Sequence, residues 1–493
     1  MGRYGLYKDL ELILWSCLSS WYYGYHISEL NFPEASITCT PPTASKLIGS
    51  NSSLFFGLPD CLGIDSQRYS AATAIFTVGG LVGSILSARA MNKVGVIGCI
   101  KLTGLLNVIG SGIMFAAPHW IGRLNDSRAS CRVVAGLASG LAITTVPPLL
   151  SQISKTSINS IVLSHSGSIG ILNQLAIVLG IFSAQVAGLI ATGMKGEKFG
   201  GWRYVVMISG VVAVAQLVVG WIRVPNELMQ RREVASQQIH EGMIQDEHHE
   251  AQYANRIPRT DQQDEESSPL LFEGSQHHIA AATALKHPDT LRALLSSPAL
   301  RPHVLLVAFC LVIQQFSGIN AVLFYSTPVL KGLMPDKSGL IGILVSLINV
   351  AMTVPSLLLI DRIGRKPLLL MSLSGMAVSA TLLAIGLDRH FQVLSSITIV
   401  TFVASFALAL GPVPFLLISE LVPPQAVSAV SSLALSCSWT SNFVIALAFL
   451  PLRNALAYED EQGKMQGEGR VFYVFLVIHV MALVVIQRRL YRD

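Results

Sequence analysis

Amide side chains recur inside apolar runs of this sequence, where a polar group needs a reason to be. Asn173, Gln174 and Gln185 lie in GILNQLAIVLGIFSAQ, Gln314, Gln315, Asn320 and Tyr325 in QQFSGINAVLFYST, and Asn349, Trp439 and Asn442 in two further runs. An amide without a hydrogen bond in a lipid-like environment costs on the order of a few kcal/mol, so such residues either tie helices together or line a binding site. An amide donates and accepts at once, which matches a hydroxyl group, and an aromatic face covers C–H surface. The chemistry these residues suit is reversible recognition of a polyhydroxylated solute. A single amide pair is ordinary helix glue; amides in four separate runs are hard to explain by glue alone. Gln315 and Asn320 are five apart and do not stack on one helical face, and Gly318 with the downstream Pro328 predicts a helix broken or bent around a ligand.

A second group is titratable. His26 precedes Glu29 by three residues, about one helical turn. Buried and hydrogen-bonded, the imidazole is a neutral packing residue; facing an acidic compartment, it senses or carries a proton with Glu29 beside it, because histidine titrates nearest to physiological pH. Covalent chemistry finds no support. No metal-ligand cluster, phosphate-binding loop or nucleophile–base set occurs, and His248-His249 and His277-His278 stand in a polar low-complexity stretch. Neither an enzyme nor a bound metal or cofactor is expected.

The elements that must position these residues are membrane spans. Of 493 residues 52% are hydrophobic and only 13% charged, whereas a water-soluble domain carries roughly a quarter charged residues to cover its surface. Apolar runs near the roughly 20 residues that a span needs fall at 10–30, 68–90, 94–117, 129–151, 166–191, 202–224, 303–329, 338–360, 367–387, 394–417, 427–450 and 471–487. The first is not a cleaved leader, since Asp9 and Glu11 spoil a basic n-region and no small-residue cleavage site closes it. Between the sixth and seventh spans, Pro225 to Pro302 is rich in Gln, Glu, Asp, His and Arg, which predicts loop, short surface helices and a disordered centre. The expected fold is therefore all-α and membrane-embedded: a six-helix half over 1–224, a linker over 225–302, and a second six-helix half with its tail over 303–493. Twelve spans in two parallel halves, each hiding an inverted repeat, is the layout of the major facilitator fold.

Basic residues near the span ends set the orientation. Arg223, Arg231 and Arg232, then Arg362, Arg365 and Lys366, then Arg488, Arg489 and Arg492 fall on one side, so the linker and both ends of the chain are expected in the cytoplasm. Arg123, Arg128, Lys195 and Lys198 count against this from the other side. The net charge of +5 reflects these basic ends and gives no reason to expect nucleic acid. On the far side lie the sequons Asn51-Ser52-Ser53 and Asn125-Asp126-Ser127; Asn51, in the long loop, is the better glycosylation site. Cys39 and Cys61 share that loop, where a disulfide is open to them; most of the seven cysteines sit in apolar runs as small buried hydrophobes.

The chain resembles the sugar-porter branch of the major facilitator superfamily, which holds glucose facilitators and proton–sugar symporters. The matching strings are GILNQLAIVLGI, QQFSGINAVLFYST, DRIGRK at 361–366, GPVPF at 411–415 with ISEL following, and SCSWTSNF at 436–443, in order and spread over essentially all spans. The resemblance implies transmembrane transport of a monosaccharide, a hexose such as glucose, by alternating access, as uniport or with protons. It implies that Gln174, Gln314, Gln315, Asn320, Asn349 and Asn442 hydrogen-bond the sugar and that Trp439 lines the cavity. Where the family has tryptophan after GP-x-P this chain has Phe415, its carboxylate or amide earlier in span ten is Ala407, and the asparagine before Trp439 is Ser438. Those departures leave open another polyol or small metabolite, or a sensor that binds sugar without transporting it.

The resemblance also assigns gating residues. Asp361, Arg362, Arg365 and Lys366 match the family's charged cytoplasmic turn, while its first-half equivalent, MNKVGVIG, keeps Lys93 and Gly95 but has Val96 and Ile97 for the basic pair. Arg132 matches a span-four arginine and is expected among the gate residues with Glu420. The carboxylate after Arg132 is Gln152, the arginine beyond is Asn159, and the arginine after Glu420 is Val427. With these pairs gone, the state closed on the cytoplasmic side is expected to be less favoured than in close relatives, with at best a Glu420–Asn159 hydrogen bond remaining. In span one the symporters' aspartate is His26 here. Within the linker, Glu266 followed by Leu270 and Leu271 in DEESSPLL is an acidic dileucine pattern of the kind clathrin adaptors read, which points to a vacuolar or lysosomal membrane, with the plasma membrane as the alternative.

Overall fold

The computed structural model describes residues 2–30, 33, 36–37, 66–116, 127–156, 166–193, 201–224, 296–298, 300–320, 322, 338–459 and 465–490. Helix α1 is Gly2–Ser28. Ser66–Phe115 is two helices, α2 and α3, meeting at Gly95. Then come α4 (Ser127–Thr156), α5 (Ser166–Thr192) and α6 (Trp202–Arg223). The second half supplies α7 (Arg301–Phe316), α8 (Ser338–Ile363), α9 (Arg365–Asp388), α10 (Gln392–Ser405, extended through a π turn to Glu420), α11 (Val427–Leu456) and α12 (Val471–Arg489). Each expected span thus has its helix. Asn51, Cys39, Cys61, Asn125, Tyr325, Asn159, Glu266, Leu270 and Leu271 lie outside the described residues.

Nine helices among the described residues are long and apolar enough to cross a membrane, one of them the joined α2–α3 pair. Helix α7 falls short because it stops at Phe316: Gly318 takes φ 88°, a left-handed conformation that glycine reaches without steric cost, and a Cβ there would meet the ring of Phe475. The break expected from Gly318 is present. Apolar faces alone do not hold such helices together in lipid, so close backbone approach does. A Cβ at Gly140 of α4 would stand 2.1 Å from the Gly80 carbonyl of α2. Asn173 ties α5 to α1 by accepting from Ser20 Oγ at 2.6 Å, and Gln216 ties α6 to α1 through Trp15 O and Ser19 Oγ.

Helices α6, α8 and α12 each carry arginine in the last turn, which marks one end of the bundle as basic. That is the end expected in the cytoplasm. The α2–α3 and α8–α9 turns lie there and share a backbone: Gly95 has φ 72°, ψ 171° and Gly364 has φ 88°, ψ 169°. At the opposite end a short antiparallel pair, Tyr458–Glu459 with Met465–Gln466, links α11 to α12.

Candidate solute-binding site

The broken α7 packs against α11, and the amides of the two helices find each other. Gln315 Nε2 donates to Ser438 Oγ at 3.1 Å, and Asn320 Nδ2 donates to Asn442 Oδ1 at 3.0 Å. Gln314, the residue before Gln315, turns toward α10 and donates to the carbonyls of Leu410 (2.9 Å) and Gly411 (2.7 Å). From the first half, Gln174 reaches the same glycine: a Cβ built at Gly411 would lie 3.4 Å from its Nε2. Phe415 is buried in the second-half core, three residues beyond Pro412.

Trp439 crosses between the halves. Its ring packs edge-on against Tyr23 of α1 (centroids 5.7 Å) and Phe76 of α2 (5.8 Å), and a Cβ at Gly80 would fall 2.4 Å from it. The indole N–H has no acceptor among the described residues, and neither does the Asn349 side-chain oxygen have a donor. A buried donor or acceptor left so costs about 1–3 kcal/mol, which a hydroxylated ligand would recover. Every polar group gathered here is a neutral amide, hydroxyl or indole, so the site suits an uncharged solute.

The titratable group lies apart, inside the first half. His26 Nδ1 and Glu29 Oε1 are 2.9 Å apart, and Arg132 of α4 donates from Nη1 to the same carboxylate oxygen at 2.7 Å and from Nη2 to the His26 carbonyl at 3.0 Å. The guanidinium also stacks over the Phe76 ring at 4.7 Å. All three side chains are almost fully buried. His26 Nε2, Glu29 Oε2 and Arg132 Nε have no partner among the described residues. Arg132 therefore does not belong with the cytoplasmic gate. It lies five residues into α4, whereas Gln152 is twenty residues further on, about 30 Å away along the axis at 1.5 Å per residue.

At the basic end the halves are joined by hydrogen bonds that do not involve the missing ion pairs. Asp361, at the end of α8, accepts from Gly167 N (3.0 Å), Ser168 N (2.9 Å) and Ser168 Oγ (2.7 Å), so a second-half carboxylate caps the first turn of a first-half helix. On the other side of the interface, Ser432 of α11 donates to the Ser84 carbonyl of α2 at 2.6 Å. Glu420 is held by Arg365, with Nε at 3.0 Å from both oxygens and Nη2 at 2.5 Å from one, while Arg365 Nη1 also approaches Asp361 at 3.7 Å. Arg362 is exposed and Lys366 half-buried. Among the described residues the first-half turn carries no such cluster: Lys93 is exposed, and Ile97 is buried with Leu12, Ile13 and Ile153. Gly80 and Ser168, which shape the contacts between the halves, stood in no motif; a small residue in an apolar run was their only signal.

Twelve helices in two halves define a transporter of the major facilitator fold. The chain belongs to the sugar (and other) transporter family, whose model matches residues 12–491. It is 27% identical over 485 residues to a probable metabolite transport protein of Saccharomyces cerevisiae, covering 96% of this chain and 90% of that one. The vacuolar protein sorting-associated protein 73 of the same yeast is 25% identical, with 94% and 90% covered. Facilitated glucose transporter member 3 of Gallus gallus is 28% identical, with 88% and 81% covered. Among solved structures, a proton:xylose symporter bound to 6-bromo-6-deoxy-D-glucose superposes with a TM-score of 0.71 at 18% identity, covering 98% of this chain and 96% of the other.

Proposed function

We propose that this chain carries a monosaccharide, a hexose such as glucose, across the membrane by alternating access of a site between its two halves. The observation that carries the reading is the pairing of α7 and α11 amides, together with two unsatisfied groups in neighbouring spans, Asn349 Oδ1 on α8 and Trp439 Nε1 on α11. Amides that bond each other can exchange those bonds for sugar hydroxyls with little net change, and the orphaned donor and acceptor supply the gain. Membership in the family and the glucose and xylose carriers among its relatives support the same substrate class. Competitive uptake into proteoliposomes from a panel of hexoses, pentoses and inositol tests it. Saturable hexose uptake is expected; uptake of inositol alone, or sugar binding with no flux, would replace it with a polyol carrier or a sensor.

The buried His26–Glu29–Arg132 cluster favours coupling to protons. The Glu29 carboxylate shares one oxygen with an arginine and an imidazole and has its second oxygen without a partner among the described residues. Uptake is expected to vary with pH between about 5 and 7.5 in the wild type and to lose that variation in His26→Asn or Glu29→Gln. Superimposable pH profiles for the three proteins would dismiss the idea.

The acidic dileucine at Glu266, Leu270 and Leu271 supports residence in a vacuolar or lysosomal membrane, and the vacuolar sorting name of one yeast relative points the same way. Replacing both leucines by alanine is expected to move the tagged protein to the cell surface; unchanged organelle labelling would refute the motif.

A further inference from the structure

At the basic end, the two halves finish one pair of neighbouring helices differently. Counted from the turn glycines Gly95 and Gly364, Lys101 on α3 and Leu370 on α9 hold the same position. In the first half the Lys101 ammonium lies over the ring of Trp221 on α6, 5.1 Å from its centroid, so a cation and an aromatic of the protein itself bridge α3 and α6. In the second half a leucine stands in the lysine's place, and a cleft of about 410 Å³ opens between α9 and α12, a volume in the range of small-ligand sites. Leu370, Leu483 and Val484 give it apolar walls, and Ser374, Gln487 and Arg488 give it polar groups. Arg488 is exposed and makes no hydrogen bond or ion pair among the described residues. The carboxylates Asp361 and Glu420 at this end are already engaged by Ser168 and Arg365, so the cleft keeps its positive charge. Exposed apolar side chains further along both helices, Met371 and Val378 on α9 and Val480 and Met481 on α12, put the cleft on the lipid-facing outside of the bundle.

We propose that the α9–α12 cleft holds one anionic phospholipid of the cytoplasmic leaflet, its phosphate against Arg488 and Gln487 and an acyl chain along Leu370, Leu483 and Val484. A guanidinium pairs with two phosphate oxygens at once, and the cytoplasmic leaflet is the one that carries anionic lipid. A soluble anion would use the arginine and leave the apolar walls wet; a neutral lipid would use the walls and leave the arginine unpaired. Ser374 supplies a hydroxyl for an ester carbonyl of the same lipid. The first half takes no such ligand, because Lys101 and Trp221 close the corresponding interval. This site is independent of which solute the protein carries.

The test uses purified full-length protein in detergent and counts retained lipid by native mass spectrometry, with phosphatidylserine as the probe and phosphatidylcholine of the same acyl chains as the reference. The wild type is expected to retain one phosphatidylserine in preference to phosphatidylcholine. Arg488→Gln should weaken that retention about fivefold, the scale of one basic side chain at a charged membrane surface. Val484→Trp, at an exposed position where an indole fills the cleft, should abolish it. Arg223→Gln removes an equally exposed arginine from the last turn of α6 and is expected to leave retention unchanged. Equal weakening by Arg488→Gln and Arg223→Gln, or equal retention of the two lipids by the wild type, would overturn the proposal in favour of non-specific annular lipid. Displacement of the lipid by inorganic phosphate, but not by chloride of equal ionic strength, would overturn it in favour of a soluble-anion site. Crosslinking needs no variant: a photoactivatable phosphatidylserine is expected to mark peptides spanning 365–374 and 483–489, and labelling spread evenly over both halves would overturn the site.

Discussion

The turn after α2 and the turn after α8 have nearly the same backbone and opposite surroundings. Both pivot on a glycine with φ near +80°, at Gly95 and Gly364. Around Gly364 the chain keeps Asp361 and Arg365, and they reach Ser168 and Glu420. Around Gly95 the corresponding basic positions are apolar, and Ile97 is buried in the first-half core. The internal repeat preserved the shape of the turn on both sides and the electrostatic latch on one. A backbone conformation and a charge cluster are thus separable: glycine secures the first, and only the cross-half partners require the second.

Returning the missing charge should do the most damage. Ile97→Arg would place a guanidinium in a packed apolar cluster and is expected to lower stability by about 3 kcal/mol, read as a fall in the thermal midpoint of the purified protein; an unchanged midpoint would mean that the first-half turn still has room for a charge. Next comes Asp361→Ala, which removes three hydrogen bonds between the halves. A loss of about 2 kcal/mol would shift the balance toward the form open at the basic end by roughly 30-fold, seen as faster labelling of a cysteine placed in the cavity from that side. Gly95→Ala and Gly364→Ala should then cost about 1–2 kcal/mol each, and nearly the same, because a Cβ meets nothing within 4 Å at Gly95 and only Pro367 at 4.0 Å at Gly364. Unequal midpoint shifts would show that the two turns are not equivalent in backbone strain. Smallest is Lys93→Ala, exposed and outside any cluster among the described residues, expected to stay within about 0.5 kcal/mol of wild type.

Much of this architecture is legible in the sequence because lipid imposes length and polarity on every span. The runs at 202–224 and 471–487 became Trp202–Arg223 and Val471–Arg489. The bend of α7 was readable from Gly318, since few residues take its φ. The amides of α7 and α11 were readable as a set, but not their pairing: which amide bonds a partner helix and which faces the cavity depends on rotation about the helix axis, and a run apolar all round carries no phase. That is why Asn173, bound to Ser20, and Gln174, beside Gly411, differ in role although adjacent. Arg132 was misplaced because a motif names a span and not a depth within it. The π turn of α10 left no signal beyond its prolines.

The seat of Trp439 on Gly80 has a practical side. An indole enclosed by Tyr23, Phe76 and a bare backbone is shielded from water only while the two halves stay in contact at that point. Its fluorescence is therefore a built-in optical reporter of separation: with the other five tryptophans of the chain replaced by phenylalanine, a red shift in emission would register each departure of the second half from α2, without a dye or a label.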